Sequence, residues 1–86
     1  MIAFVDAIAA GSVSLRESVN RALENYFGQL GSQKPSEVYD MVMREVEEPL
    51  LRKMMAYTNN NQSRTAKLLR LSRGTLRKKL KLYDML

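Results

Sequence analysis

From Leu15 to Tyr57 the apolar residues recur in steps of three and four, a spacing that commits this part of the chain to helices. The first series is Leu15, Val19, Ala22, Leu23, Tyr26, Phe27 and Leu30, which share one helix face. It opens on Ser14-Leu15-Arg16-Glu17, a capping box in which Ser14 accepts from the Glu17 amide while Glu17 reaches back. Gly28 is placed to fray the end, and Gly31 to Pro35 reads as a loop. A second series, Val38, Tyr39, Val42, Val46, Leu50, Met54 and Tyr57, follows in a helix starting near Ser36. Pro49 lies inside it. A proline there removes a backbone donor and crowds the preceding turn, at about 3 kcal/mol in a helix interior. Either the helix ends at Glu48 and another starts with Pro49 in its first turn, or one helix is kinked. The apolar phase continues unbroken from Val46 to Leu50 to Met54, which favours the kinked helix.

At 86 residues the chain has room for one domain, and a monomer this short buries a modest fraction of its surface. Met41, Met43, Leu51 and Met55 lie off the main stripe, so the second helix carries a broad apolar surface. One protomer offers little to cover it. The expected fold is therefore an all-α, four-helix protomer. Its first two helices, in residues 15–58, form the intertwined core of a homodimer through Val19, Leu23, Tyr26, Phe27, Val42, Val46, Leu50 and Met54. The alternative is a monomeric core with methionine as gap filler. Residues 1–14 read as an N-terminal arm.

Cysteine and histidine are both absent, which excludes disulfides, thiol catalysis, Cys/His zinc sites and histidine acid–base chemistry. Glu45, Glu47 and Glu48 cluster, but without metal-ligand spacing they read as ordinary surface charge beside Pro49. No catalytic residue, metal or cofactor is expected. No apolar run approaches the roughly 20 residues that cross a bilayer. Met1 to Ala10 lacks a basic flank and is interrupted by Asp6, so a signal peptide is not expected and the location reads as cytoplasmic.

Charge is unevenly placed. Residues 1–58 hold 6 Lys/Arg against 8 Asp/Glu, whereas residues 59–86 hold 8 Lys/Arg against Asp84 alone. A body of net charge −2 thus carries a segment of +7. Such a partition favours an acidic partner.

That segment is organised. Asn59-Asn60-Asn61 stops the second helix, and Asn61 is a natural N-cap for a short helix from Gln62 to Leu69. Arg70 and Leu71 form a turn, and Ser72 caps a last helix from Arg73 to about Tyr83. Leu76, Leu80 and Tyr83 share its buried face. Gly74, Arg77, Lys78 and Lys81 fall on the opposite arc, with Thr75 and Lys79 towards one flank. Residues 59–86 thus read as a helix-turn-helix whose basic helix enters the major groove of double-stranded DNA. Arginine near a helix start reaches guanine O6 and N7 in bidentate fashion. Gly74 would let the backbone approach the DNA, and the capping groups Asn61, Gln62, Ser63 and Thr75 suit phosphate oxygens. A generic basic amphipathic helix, acting at an acidic lipid surface or in a protein-interaction module, is the alternative.

The motifs LRESVNRALENYF, EVEEPLL, NQSRTAKLL and RGTLRKKLKLY, at their observed spacing, resemble the factor-for-inversion-stimulation (Fis) family of bacterial nucleoid proteins. The resemblance covers about Leu15 to Met85. The C-terminal part is also similar to the last domain of nitrogen-regulation-type activators, whose large upstream ATPase is not expected here. The family resemblance implies a homodimeric transcription regulator of four helices per protomer, with the second kinked at Pro49. It implies recognition helices closer together than one DNA turn, so that the DNA is bent and its central minor groove compressed, with degenerate sites and AT-rich centres preferred. By matching positions, Arg73 reads a guanine in each half-site, with Ser72 and Lys78 as further base readers. The phosphate clamp is then Asn61, Gln62, Ser63, Arg64, Thr75, Arg77, Lys79 and Lys81. Three positions depart from the family pattern. Ser72 stands where asparagine is usual, Arg70 where glycine is common, and Asn59 where a basic residue touches flanking DNA. Invertase stimulation is not carried over, and contacts with RNA polymerase or a recombinase are left open. No membrane or small-molecule partner is expected.

Overall fold

The computed structural model describes Phe4 and residues 13–86. The arm read from residues 1–14 therefore falls largely outside the described residues. Four helices follow in order, α1 (Leu15–Leu30), α2 (Val38–Tyr57), α3 (Gln62–Leu69) and α4 (Arg73–Leu82), with no strand among the described residues. The all-α class expected from the apolar spacing is the one observed. The chain divides into two compact units, Met1–Ser36 and Glu37–Leu86.

In the first unit, α1 begins where the capping signal places it. Ser14 is extended, and its Oγ accepts from the Glu17 amide at 3.0 Å. The expected reciprocal half of the box is replaced by an ion pair: the Glu17 carboxylate accepts from Arg21, one turn on, at 2.9 Å. The helix does not fray at Gly28 but runs on to Leu30. It is closed by Gly31 at φ 62, a backbone conformation that glycine adopts without a Cβ penalty. None of α1 is buried. Val19, Leu23 and Tyr26 are half-buried, and Phe27 is 50% exposed with its ring edge-on to Tyr26 at 5.5 Å.

In the second unit, α2 runs unbroken through Pro49, which settles the choice between one helix and two. Only Leu51 and Met55 of α2 are buried. Both belong to the set lying off its main stripe. They join Ala66 of α3 with Leu76, Leu80 and Tyr83 of α4 in one core, and Leu69 and Met85 pack against it. Leu76 and Leu80 are completely buried, each contributing about 1.5–3 kcal/mol by removal from water. Ala66 allows the helices to approach closely. Along the main stripe of α2, Val42, Val46 and Met54 stay half-buried and Leu50 is 45% exposed.

Three helix ends in this unit share one device. After α2, α3 and α4 a residue turns left-handed, Asn59 (φ 54), Arg70 (φ 59) and Asp84 (φ 56) respectively. The next residue then donates back to the helix: Asn60 to the Met55 carbonyl at 2.7 Å, Leu71 to Ala66 at 2.9 Å, and Met85 to Leu80 at 2.8 Å. Each is a Schellman closure that satisfies carbonyls the helix end would leave orphaned. Asparagine and aspartate tolerate this backbone; arginine is less suited to it.

Candidate nucleic-acid interface

The asparagine run that ends α2 also starts α3. Asn61 is extended, and its Oδ1 accepts from the Arg64 amide at 3.0 Å. Arg70 closes α3 after Leu69, and Ser72 caps α4 two residues later, so the turn is as short as the sequence indicated. The Ser72 hydroxyl accepts from the Thr75 amide at 3.1 Å and donates to the Thr75 hydroxyl at 2.9 Å. Both residues are thus preorganised at the start of α4.

Leu76, Leu80 and Tyr83 bury one side of α4, as their spacing predicted. The other side carries Gly74, Thr75, Arg77, Lys78 and Lys81, and Arg73 opens the helix, all exposed. A Cβ built on Gly74 would meet nothing within 4 Å, so no packing demand of the protein explains a glycine there. The two helices are tied at the surface: Arg77 donates through Nη1 to Gln62 Oε1 at 2.8 Å, joining two of the expected phosphate contacts. Arg64 lies over the Tyr57 ring, 5.7 Å from its centre, an arrangement that orients the guanidinium by cation–π attraction. Asn61 and Ser63 are exposed at the first turn of α3.

Lys79 is placed differently from the other cations. Its Nζ meets Glu47 Oε2 on α2 at 2.6 Å, and the Tyr83 hydroxyl donates to the other oxygen, Oε1, at 2.7 Å. Glu47 is therefore not ordinary surface charge. Its side chain is 19% exposed and clips the C-terminal half of α4 to α2. The hydrogen bond from Lys79, reinforced by that from Tyr83, holds the Glu47 carboxyl below the usual glutamate range. The same contact pushes the Tyr83 hydroxyl up to about 12, because ionising it would set a phenolate against a carboxylate; burial adds to the effect.

Sequence reasoning missed Glu47, Thr58 and Thr65. A signal for the first existed: Tyr83 on a buried face needs a partner for its hydroxyl, and Lys79 lies one turn away from it. Which of three clustered glutamates answers both depends on how α4 crosses α2. Thr58 and Thr65 are buried, their hydroxyls 2.6 Å apart, and nothing in the local pattern separates them from surface threonines.

No helix among the described residues is long and apolar enough to cross a membrane. The short capped helix, tight turn and second capped helix with an exposed basic side define a protein of the helix-turn-helix class. The pattern of the bacterial regulatory protein, Fis family, matches residues 42–83. The chain is 55% identical over 71 residues to DNA-binding protein Fis of Yersinia pestis strain Pestoides F, covering 83% of this chain and 72% of that protein. DNA-binding protein Fis of Pectobacterium carotovorum matches at the same identity and coverage, and that of Proteus mirabilis strain HI4320 at 54% over the same span. The chain belongs to the Fis family, which places it among regulatory proteins rather than enzymes.

Proposed function

We propose that this protein binds double-stranded DNA as a homodimer, inserting α4 into the major groove, bending the duplex and regulating transcription as a component of the cytoplasmic nucleoid. The observation that carries the reading is the two-sided character of α4. Leu76, Leu80 and Tyr83 fix it to the core, while Arg73, Arg77, Lys78 and Lys81 stand exposed. A rigid helix with one cationic side neutralises phosphates and reads base edges with the same surface.

Arg73 is the principal base reader, at the first position of α4 with its side chain exposed. Lys78 is a second. Ser72 is a weaker third, because its hydroxyl proton is already given to Thr75. Asn61, Gln62, Ser63, Arg64, Thr75, Arg77 and Lys81 make the phosphate clamp, with Gln62 and Arg77 preorganised by their mutual hydrogen bond. Lys79 is the one cation of the expected clamp whose charge is engaged by a carboxylate.

The dimer is supported by what each unit leaves uncovered. No residue of α1 is buried, and Val42, Val46, Leu50 and Met54 on α2 are half-buried or exposed. Residues 15–58 are its dimerisation region, and 59–86 its DNA-binding region. The DNA-binding Fis relatives support the ligand. Bending follows if the two recognition helices lie closer than one turn of straight DNA, and it favours AT-rich, deformable centres.

The test is a salt titration of binding to two duplexes. One carries a guanine near each end of a core of roughly 15 base pairs with an AT-rich centre; the other is its scramble. Tighter binding to the first as a two-protomer complex, falling steeply with salt, is expected. Absence of binding to either duplex at low salt, with binding to anionic vesicles instead, would overturn the reading.

A further inference from the structure

We propose that Glu47 is a positioning residue of the DNA interface: it fixes the C-terminal half of α4 on α2 and keeps the Lys79 ammonium off the phosphate backbone. The proposal rests on the DNA-binding reading above and divides its cations into two groups.

Both Glu47 oxygens are occupied, Oε2 by Lys79 at 2.6 Å and Oε1 by the Tyr83 hydroxyl at 2.7 Å. The contacts are long-range, joining α4 to a helix more than thirty residues earlier in sequence, so they set where α4 lies rather than how it coils. Helix geometry points the same way. At 3.6 residues per turn, Lys79 lies about 40° around α4 from Tyr83 and about 160° from Lys81. Its side chain is 32% exposed. It leans towards the buried side of the helix, whereas Lys78 and Lys81 lean away.

The surroundings reinforce this. Lys79 lines a cleft of about 270 Å³ between α2 and α4 whose other charged lining residues are Asp40, Arg44 and Glu47. Two carboxylates and two cations balance there, whereas the exposed arc of α4 carries positive charge alone. Moving Lys79 to a phosphate would leave the partly buried Glu47 carboxylate with only a phenol donor. A charge withdrawn in this way contributes nothing to counterion release, which the exposed cations supply.

The consequence is measurable in the salt dependence of binding, because each cation on a phosphate adds about 0.9 to the slope of log K against log salt. The experiment compares the full chain with Lys79→Met and Glu47→Gln on a single specific duplex, each variant's thermal midpoint being taken alongside. Lys79→Met deletes the ammonium and keeps an aliphatic stem; the expected slope is that of the wild type. Glu47→Gln frees Lys79, and the expected slope is steeper by about 0.9 per protomer. A slope that falls by about 0.9 per protomer in Lys79→Met would overturn the proposal, for Lys79 would then be a phosphate contact like its neighbours. An unchanged slope in a folded Glu47→Gln would overturn it too. If Glu47→Gln does not fold, Lys79→Met decides alone. Failure of the wild type itself to bind would remove the DNA reading and this proposal with it, an outcome distinct from binding with the wrong slope.

Discussion

The Thr58 hydroxyl lies 2.6 Å from the Thr65 hydroxyl, and both side chains are closed off from water, joining the end of α2 to the first turn of α3. If Thr65 donates to Thr58, Thr58 donates in turn to the Met55 or Asn61 carbonyl, each 3.3 Å away, and every group is satisfied. The pair is unequal. Thr58→Val strands the Thr65 hydroxyl, whereas Thr65→Val leaves Thr58 its two carbonyls. Thr58→Val is expected to cost about 1–3 kcal/mol in urea unfolding, Thr65→Val less, and the double variant less than the two together. Equal and additive losses would mean that the two hydroxyls do not depend on each other.

Arg70 holds a left-handed backbone, φ 59 and ψ 42, at the turn of the helix-turn-helix. A side chain with a Cβ costs roughly 1–2 kcal/mol in that region, and glycine costs little. Arg70→Gly is therefore expected to raise stability by about 1 kcal/mol, less than the full strain because glycine also loses more freedom on folding. Asn59→Gly, at φ 54, should gain much less, since asparagine tolerates this conformation. Chemical unfolding of the two variants checks the ranking, and a larger gain at Asn59 would contradict it.

The Glu47–Tyr83 contact gives stability two pH limits. The Tyr83 hydroxyl is raised from 10.0 to about 12, so its contribution is complete below pH 10 and disappears as pH rises towards 12. The Glu47 carboxyl is lowered, so its contribution is complete above the ordinary glutamate range and is lost as pH falls through the lowered value. The stability gap between wild type and Tyr83→Phe should thus be constant near neutrality and narrow between pH 10 and 12. The gap between wild type and Glu47→Gln should narrow in acid. Urea midpoints across both ranges test this, and a Tyr83 gap that persists at pH 12 would count against the contact.

What the sequence discloses here is mostly local. The caps at Ser14, Asn61 and Ser72, the left-handed asparagines after α2 and the buried face of α4 each depend on residues within about a turn of one another. Pro49 was legible because the apolar phase continues through it. The long-range choices were not. Leu51 and Met55 read as excess apolar surface, yet they are the α2 side chains that α3 and α4 cover. Glu47 and Lys79 lie 32 positions apart, and no local pattern reports that one neutralises the other. Position around a helix gives a side chain's direction; its partner is fixed only once the helices cross. The exposed arc of α4 was therefore legible from spacing, which already set Lys79 towards one flank, while the carboxylate that Lys79 meets was not.

Substitutions at Arg73 and Lys81 are expected to separate base reading from charge. Arg73 occupies the first position of α4, where a guanidinium projects from the helix start, and Lys81 lies two turns on along the exposed side. Loss of a bidentate guanine contact costs about 1–3 kcal/mol against the preferred site and little against random sequence. Arg73→Ala is thus expected to narrow the ratio of specific to scrambled binding by roughly one order of magnitude or more. Lys81→Ala should weaken both duplexes alike and flatten the salt slope by about 0.9 per protomer. Fluorescence anisotropy on the two duplexes at several salt concentrations measures both quantities. Should Arg73→Ala keep the wild-type ratio while losing affinity everywhere, Arg73 is a phosphate contact and the guanine is read from elsewhere, with Lys78 the next residue to change.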